Sequence, residues 1–70
     1  MNEPNNTLAV WENESHGKLY AFLSLESDGY VWLLVENDSG KLLFNGWKIL
    51  FFTPGYITNS INRLRKVVLG

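Results

Sequence analysis

The hydrophobic pattern of the chain centres on residues 29–52, which read GYVWLLVENDSGKLLFNGWKILFF. Residues 30–36 and 47–52 carry apolar side chains at odd and even positions alike, whereas a strand with one wetted face alternates apolar with polar residues. Continuous apolar runs of this length are typical of strands that are covered on both faces. We therefore predict two strands here, each with two faces to be covered.

Three further segments have the composition of strands. Residues 7–11 (TLAVW) suit a short first strand, and residues 41–44 suit a strand that pairs back onto 30–36. Residues 18–26 (KLYAFLSLE) place one apolar set on a single parity, which predicts a core-facing side made of Leu19, Ala21, Leu23 and Leu25. Short turns separate all of these segments, so neighbouring strands are expected to be antiparallel.

The turns are marked by glycine that follows aspartate, serine or asparagine. Asp28-Gly29 is a strong hairpin signal, and residues 37–40 suit a type I turn followed by a bulge. Asn45-Gly46 fits two structures equally well: a tight hairpin, or a bulge within one continuing strand. The sequence leaves that choice open.

The C-terminal segment has the pattern of an amphipathic helix. Thr53 is a suitable N-cap, and Pro54 suits the first helical position because no amide donor is needed there. Spacings of four, three and four align one narrow apolar stripe, which consists of Ile57, Ile61, Leu64 and Val68. The predicted fold class is α+β: an antiparallel β-meander of three to five strands with one C-terminal amphipathic helix packed on one face.

Length and composition favour a small single domain. Residues 1–6 show no periodicity and are expected to form a flexible tail, with the domain spanning residues 7–70. No signal peptide and no apolar run of membrane-spanning length is visible, so a cytoplasmic protein without membrane contact is expected. A domain of 70 residues without cysteine cannot stabilise its small core with disulfides. Oligomerisation is a common alternative means of stabilising such a domain.

The charges are unevenly distributed although the net charge is only −1. All seven acidic residues precede residue 39, and that part of the chain carries a charge of about −6 against about +5 for the remainder. The two halves either neutralise each other within one domain or leave a basic surface for an acidic partner or a phosphate backbone. The candidate basic patch consists of Lys41, Lys48, Arg63, Arg65 and Lys66.

The residues that could carry chemistry do not form a recognisable catalytic or metal-binding pattern. His16, the single histidine, lies in a polar turn with no orienting carboxylate, and the acidic pairs Glu12/Glu14 and Glu36/Asp38 lie at or beside turns. Residues 53–56 lack the Gly-Lys-Ser/Thr pattern of a phosphate-binding loop. We expect no enzymatic activity, no cofactor and no metal site.

The ten aromatic residues are too many for a core between one sheet and one helix. Those that remain outside would form an exposed apolar surface, which is typical of an interface. The predicted function is a non-enzymatic protein-interaction module that homodimerises or binds a partner protein through an aromatic sheet face. The alternative is a nucleic-acid-binding platform that uses aromatics and the basic half of the chain. The interface candidates are Tyr30, Trp32, Phe44, Trp47, Phe51 and Phe52.

Residues 20–66 resemble the YegP-like small ββα proteins, a largely uncharacterised group. The motif elements are F-x-L, Asp-Gly, Tyr-x-Trp-x-Leu, a turn ending in glycine, an apolar strand and a helix with I-x-x-L-R. Here they fall on Phe22, Asp28, Gly29, Tyr30, Trp32, Leu34, Gly40, Leu43, Ile61, Leu64 and Arg65. The chain departs from the family at Ser39-Gly40, where Asn-Gly is usual, and at residues 47–52, where the family has a polar entry to the helix. The resemblance implies a sheet packed on a helix and a tendency to dimerise, and it brings no catalytic residues.

Overall fold

The computed structural model describes residues 6–70, which form one antiparallel sheet of four strands and one C-terminal helix. In chain order the elements are β1 (Thr7–Asn13), β2 (Gly17–Leu25), β3 (Val31–Asn37), β4 (Leu42–Lys48) and α1 (Pro54–Leu69). The strands lie in the order β1-β2-β3-β4, so each pairs with its neighbour in sequence. The predicted α+β meander with a C-terminal helix is confirmed. The tail predicted for residues 1–6 lies, apart from Asn6, outside the described residues.

Side-chain hydrogen bonds fix the turn between β3 and β4. The Asn37 side-chain oxygen accepts hydrogen bonds from the backbone N–H groups of Ser39 and Lys41, at 3.1 and 2.9 Å. Gly40 donates its N–H to the Asn37 carbonyl at 3.0 Å and has φ of +85°, a conformation that strains residues with a Cβ. The asparagine at the start and the glycine at the end therefore set the register of this hairpin.

Gly46 forms a bulge within β4. Leu33 of β3 is paired with Trp47 and Leu34 with Asn45, which leaves Gly46 as an extra residue between them. A Cβ at position 46 would lie 2.4 Å from the Leu33 carbonyl oxygen, so the close approach of the two backbones requires glycine. Of the two structures that fit Asn45-Gly46, the chain adopts the bulge.

The strand predicted for residues 47–52 is wrong beyond Lys48. Ile49 still donates its N–H to the Val31 carbonyl at 2.8 Å, but residues 50–53 form a connection that leads to α1. β4 contains two irregularities in its pairing with β3, and such bulges bend a strand. Because α1 begins at Pro54, the chain has to leave the sheet at this point to reach the helix.

The main core lies between the sheet and α1. Its buried residues come from the core side predicted for β2, from the matching positions of β3, from the residue that follows β4, and from the helix: Leu19, Ala21, Leu33, Val35, Ile49 and Leu64. The predicted helical stripe is confirmed, since Leu64 is buried and Ile57, Ile61 and Val68 pack against the cluster. Thr53 caps the helix by accepting a hydrogen bond from the Tyr56 N–H at 3.4 Å.

The sheet face opposite the helix is closed at its centre. Tyr20 and Phe22 of β2 and Leu34 of β3 are each no more than 7% exposed, although α1 covers the other face. These residues lie on the two inner strands, where a neighbouring strand shields each flank, and the Tyr20 hydroxyl donates to Asp38 at 2.7 Å. The centre of this face is therefore closed, whereas Val10 and Leu42 on the outer strands of the same face are each 49% exposed.

Candidate interaction surface

Exposed apolar side chains concentrate at one end of the sheet. At this end β2 finishes at Leu25, which is paired with Val31 at the start of β3, and β4 finishes at Lys48, which is paired with Trp32. We use the term apolar end for the exposed apolar residues located there: Leu25, Tyr30, Leu50, Phe51 and Phe52. Their exposures range from 48% to 73%, and they make up five of the nine exposed large hydrophobic residues within residues 6–70. Of the remaining four, Val10 and Leu42 lie on the outer strands of the sheet face opposite α1, in the cross-strand row of Tyr20, whereas Leu8 lies in β1 and Val67 in α1.

The connection between β4 and α1 is held in place on both sides. Before it, Ile49 is buried and bonded to Val31; after it, Thr53 caps the helix. Phe51 packs edge-to-face on Tyr56, with ring centroids 5.3 Å apart and an interplanar angle of 76°. Tyr56 in turn packs against the main core. The exposed rings of the connection are therefore presented by an anchored segment.

Asp28 organises the turn between β2 and β3. One carboxylate oxygen accepts the Tyr30 N–H and the other accepts the Trp32 indole Nε1–H, both at 2.9 Å. The Tyr30 amide first, and then the Trp32 indole, lower the pKa of Asp28 below its ordinary value of 3.8, because both donors favour the ionised form. The Trp32 indole and the Tyr30 backbone are thereby fixed relative to the turn.

Lys48 adds a cation beside the same aromatic residues. Its Nζ lies 4.2 Å from the centroid of the Tyr30 ring and 6.0 Å from that of Trp32. The shorter distance lies well within the range of a cation–π interaction, which contributes about 0.5–1 kcal/mol at an exposed site. Glu26 and Asp28 are exposed in the adjoining turn, so the rim of the apolar end holds charges of both signs.

The predicted interface residues divide into two groups. Tyr30, Phe51 and Phe52 lie exposed at the apolar end, with Trp32 beside them and partly buried. Phe44 and Trp47 instead pack against the core on the helix side. The structure therefore brings only four of the six predicted interface residues together at the apolar end.

Trp47 has an environment of its own. The Arg63 guanidinium carbon lies 4.9 Å from its ring centroid, and its Nε1–H is buried without a hydrogen-bond partner among the described residues. The position of Arg63 over this ring helps to cover the core edge beneath α1.

The sequence pattern predicts burial for two residues of the apolar end that the structure exposes. Leu25 shares the parity of the core residues of β2, which indicated burial, but it lies at the last position of the strand and is 73% exposed. Leu50 belongs to the strand predicted for residues 47–52, but β4 ends two residues before it, at Lys48. The position of Leu25 next to Glu26 and the Asp-Gly turn is a sequence signal of its exposure. No comparable signal marks the exposure of Leu50.

The predicted basic residues do not form a single patch. Lys41 lies in the turn between β3 and β4, at the end of the sheet opposite to Lys48. Arg63, Arg65 and Lys66 are exposed on α1, which carries no acidic residue. The cations therefore occupy two ends of the sheet and the helix layer.

The described part of the chain shows few features of a small-molecule site. No pocket and no group of three potential metal-ligating residues occurs within residues 6–70. His16 lies exposed in the turn between β1 and β2, where the Asn13 side-chain oxygen accepts its backbone N–H at 3.2 Å. No helix among these residues has the length and apolar character to cross a membrane.

No protein-family model, curated protein or solved structure matches this chain. The resemblance to the YegP-like proteins therefore stays a prediction.

Proposed function

We propose that the protein is a non-enzymatic interaction module that binds another protein chain through the apolar end. The observation that carries this proposal is the clustering of Leu25, Tyr30, Leu50, Phe51 and Phe52, each 48% or more exposed, at one end of the sheet. Aromatic side chains bury about 150–250 Å² each when covered, so this cluster offers on the order of 500 Å² of apolar surface. Patches of roughly 300–600 Å² are the largest on typical monomers and are often functional.

The apolar area of the patch is large enough to offset much of the free-energy cost of binding a partner. Covering about 500 Å² at about 25 cal/mol per Å² gains on the order of 12 kcal/mol. Association costs about 4–15 kcal/mol in lost freedom, so the patch offsets most of that cost and the rim groups must supply the remainder. A partner that covers the apolar centre and also pairs with the rim charges fits this balance.

The anchoring of the patch supports the same function. Binding surfaces gain affinity when their side chains are ordered before the partner arrives, since less conformational entropy is lost. The Phe51 ring packs on Tyr56, and the Tyr30 ring lies beneath the Lys48 Nζ, while the Tyr30 backbone N–H donates to Asp28. Tyrosine and tryptophan are also the residue types enriched at interaction hot spots.

Site-specific photo-crosslinking tests the proposal. We expect a benzophenone amino acid at position 51 to give a discrete protein adduct in cells that express the chain. The matched control is the same amino acid at position 67, because Phe51 and Val67 are 60% and 62% exposed but lie on different surfaces. Equal yields of adduct at both positions, or none at position 51, would contradict an interaction surface at the apolar end.

The nucleic-acid alternative has one specific observation in its favour, namely the row of cations on α1 without any acidic residue. Against it, Lys41 lies at the far end of the sheet, and Glu26 and Asp28 flank the exposed aromatics. Acidic groups beside a stacking platform repel a phosphate backbone. Oligonucleotide binding that weakens steeply with salt would favour this alternative; unchanged anisotropy of a labelled oligonucleotide at low salt would remove it.

A further inference from the structure

We propose that the outer edge of β1 binds an extended segment of another protein, which lengthens the four-stranded sheet by one antiparallel strand. The bound segment carries a lysine or arginine and, two positions later, an apolar residue. This edge is separate from the apolar end, because the turn that follows β1 lies at the opposite end of β2 from Leu25. It is therefore a second binding surface, and it does not depend on the proposed function.

The backbone of β1 offers the hydrogen-bonding groups that an added strand needs. β1 is the outermost strand of the sheet and, within residues 6–70, pairs with β2 alone. An edge strand directs a row of N–H and C=O groups away from the sheet, and another extended backbone is the ligand that pairs with such a row. The pairing with β2 is regular from Ala9 to Asn13, a run that spans about 17 Å. A straight run of this length can hold an extended peptide along its outer side.

The two edges of the sheet differ in their protection against strand addition. β4, at the other edge, contains two irregularities in its pairing with β3 and ends at Lys48. Bulges and edge lysines are common means by which proteins discourage an added strand. The run from Ala9 to Asn13 contains no bulge, lysine or proline. Ala9 and Trp11 also pack against the main core, so this edge is held in place before any partner arrives.

The side chains of Val10 and Glu12 determine which segment fits the edge. Both lie on the sheet face opposite α1, where Val10 is 49% exposed and Glu12 is also exposed. Glu14 in the following turn adds a second acid, whereas Lys18 is the one cation paired with Glu12 across β2. Apolar pairs and opposite charges stabilise neighbouring strands. In an antiparallel segment the residue beside Glu12 comes two positions before the residue beside Val10, which gives the order cation, any residue, apolar residue.

A second copy of this chain fits the edge poorly. Two-fold pairing of β1 with itself over residues 9–13 is centred on Trp11, which places Val10 beside Glu12 of the other copy at both ends. Centring the pairing on Glu12 places like charges side by side, which destabilises a strand pair. Centring it on Val10 leaves only residues 9–11 in regular pairing. The asymmetry between an apolar position and an acidic position therefore favours a different chain as the occupant.

Fluorescence anisotropy of labelled peptides tests the proposal. The first probe is the peptide Gly-Lys-Thr-Val-Thr-Val-Gly, and the second has glutamate in place of its lysine. We expect the lysine peptide to bind about fivefold more tightly than the glutamate peptide, and Glu12→Lys to reverse this preference. Val10→Lys should weaken binding of the lysine peptide about tenfold, because it removes the apolar contact and adds a like charge.

Leu42→Lys is the matched control for Val10→Lys. Both wild-type side chains are 49% exposed and lie on outer strands of the same sheet face, but Leu42 belongs to β4. The control should change the affinity for the lysine peptide by less than about twofold, as expected for a substitution away from the site. Circular dichroism of each variant checks that the fold is retained.

Methylation of the peptide nitrogens tests the backbone pairing directly. A bound edge strand uses alternate amides, so methyl groups on the lysine and valine nitrogens and methyl groups on the threonine nitrogens should have unlike effects. One set should abolish binding and the other should leave most of it. Equal effects of the two sets would overturn strand addition.

The remaining outcomes are equally decisive. Binding that is weakened by Val10→Lys and unaffected by Leu42→Lys supports a peptide site at β1. No binding at millimolar peptide, or equal losses in the two variants, overturns it. Protection of the β1 amides from hydrogen exchange that rises with protein concentration, without peptide, would place a second copy on this edge and also overturn the proposal. Crosslinking at position 51 reports on the apolar end separately.

Discussion

At the residue scale, the local backbone structure depends on a few positions where a single added side-chain atom would not fit. Gly46 is the clearest case, because the space for a Cβ is taken by the carbonyl oxygen of Leu33. The sequence predicted that Asn45-Gly46 is a turn or a bulge, but the backbone approach that selects the bulge is a tertiary contact between two strands. Local sequence carries no information about that distance.

Replacing Gly46 with alanine should destabilise the protein by about 1–3 kcal/mol, because the strands must separate to admit the methyl group. The comparison is Gly55→Ala in the first turn of α1, where nothing lies within 4 Å of the added Cβ. That change should be neutral or stabilise by up to about 1 kcal/mol, since alanine favours a helix over glycine. Urea unfolding monitored by circular dichroism gives both values, and equal effects would contradict the role of the bulge.

Asp28 should contribute a pH-dependent stabilisation. Its folded-state pKa is lowered by the Tyr30 amide and the Trp32 indole, so the contribution is present above the unfolded value near 3.8 and is lost as the pH falls through the lower folded pKa. In Asp28→Asn one amide oxygen remains to accept the Tyr30 N–H, but no carboxylate titrates. The stability difference between wild type and Asp28→Asn should narrow below pH 3.8, and a constant difference from pH 6 to pH 3 would refute this role.

At the element scale, the pattern of apolar positions predicted the strands and the helix but not where β4 ends. Residues 47–52 form one apolar run, yet only its first two residues belong to β4, and Leu50, Phe51 and Phe52 are exposed. Hydrophobicity identifies residues that favour burial; it does not tell whether this chain or another one buries them. For the same reason the sequence places six aromatic residues in one candidate set, whereas the structure exposes Tyr30, Phe51 and Phe52 and packs Phe44 and Trp47 against the main core.

The docking of α1 should depend on Leu64. This side chain is 1% exposed within the main core, so Leu64→Ala should cost about 2–5 kcal/mol through lost burial and the cavity left behind. Val67→Ala, on the exposed side of the same helix, should change the stability by less than about 0.5 kcal/mol. Denaturant titrations of both variants measure the difference, and similar losses would show that the helix does not dock through the predicted stripe.

At the scale of the whole molecule, apolar residues outside the main core differ widely in their exposure to solvent. The centre of the sheet face opposite α1 is closed, with Phe22 only 7% exposed, whereas Phe52 at the apolar end is 65% exposed. The sequence indicated that the aromatic residues exceed what one helix can cover, and it could not say where the excess lies. Its location depends on strand register and on the path from β4 to α1, which are properties of the assembled sheet.

Substitution by serine should separate these two kinds of aromatic residue. Phe52→Ser should leave the stability of the protein within about 0.5 kcal/mol while weakening binding through the apolar end. Phe22→Ser should instead cost about 3–5 kcal/mol, since a buried ring is lost and a polar group is left in its place. Thermal melts measure the stability of both variants, and the yield of adduct from the photo-crosslinker at position 51 measures binding through the apolar end; a large loss of stability in Phe52→Ser would place that ring in the core.

The three tryptophans occupy three unlike surroundings: the Trp32 indole is bonded to a carboxylate, the Trp47 indole lies under a guanidinium with no hydrogen-bond partner within residues 6–70, and Trp11 is partly buried. Indole emission shifts with local polarity, so each ring is a native optical probe of a different event. Quenching at Trp32 would follow contact at the apolar end, and a red shift at Trp47 would follow detachment of α1. Single-tryptophan versions of the chain could thus time assembly and unfolding separately without any added dye.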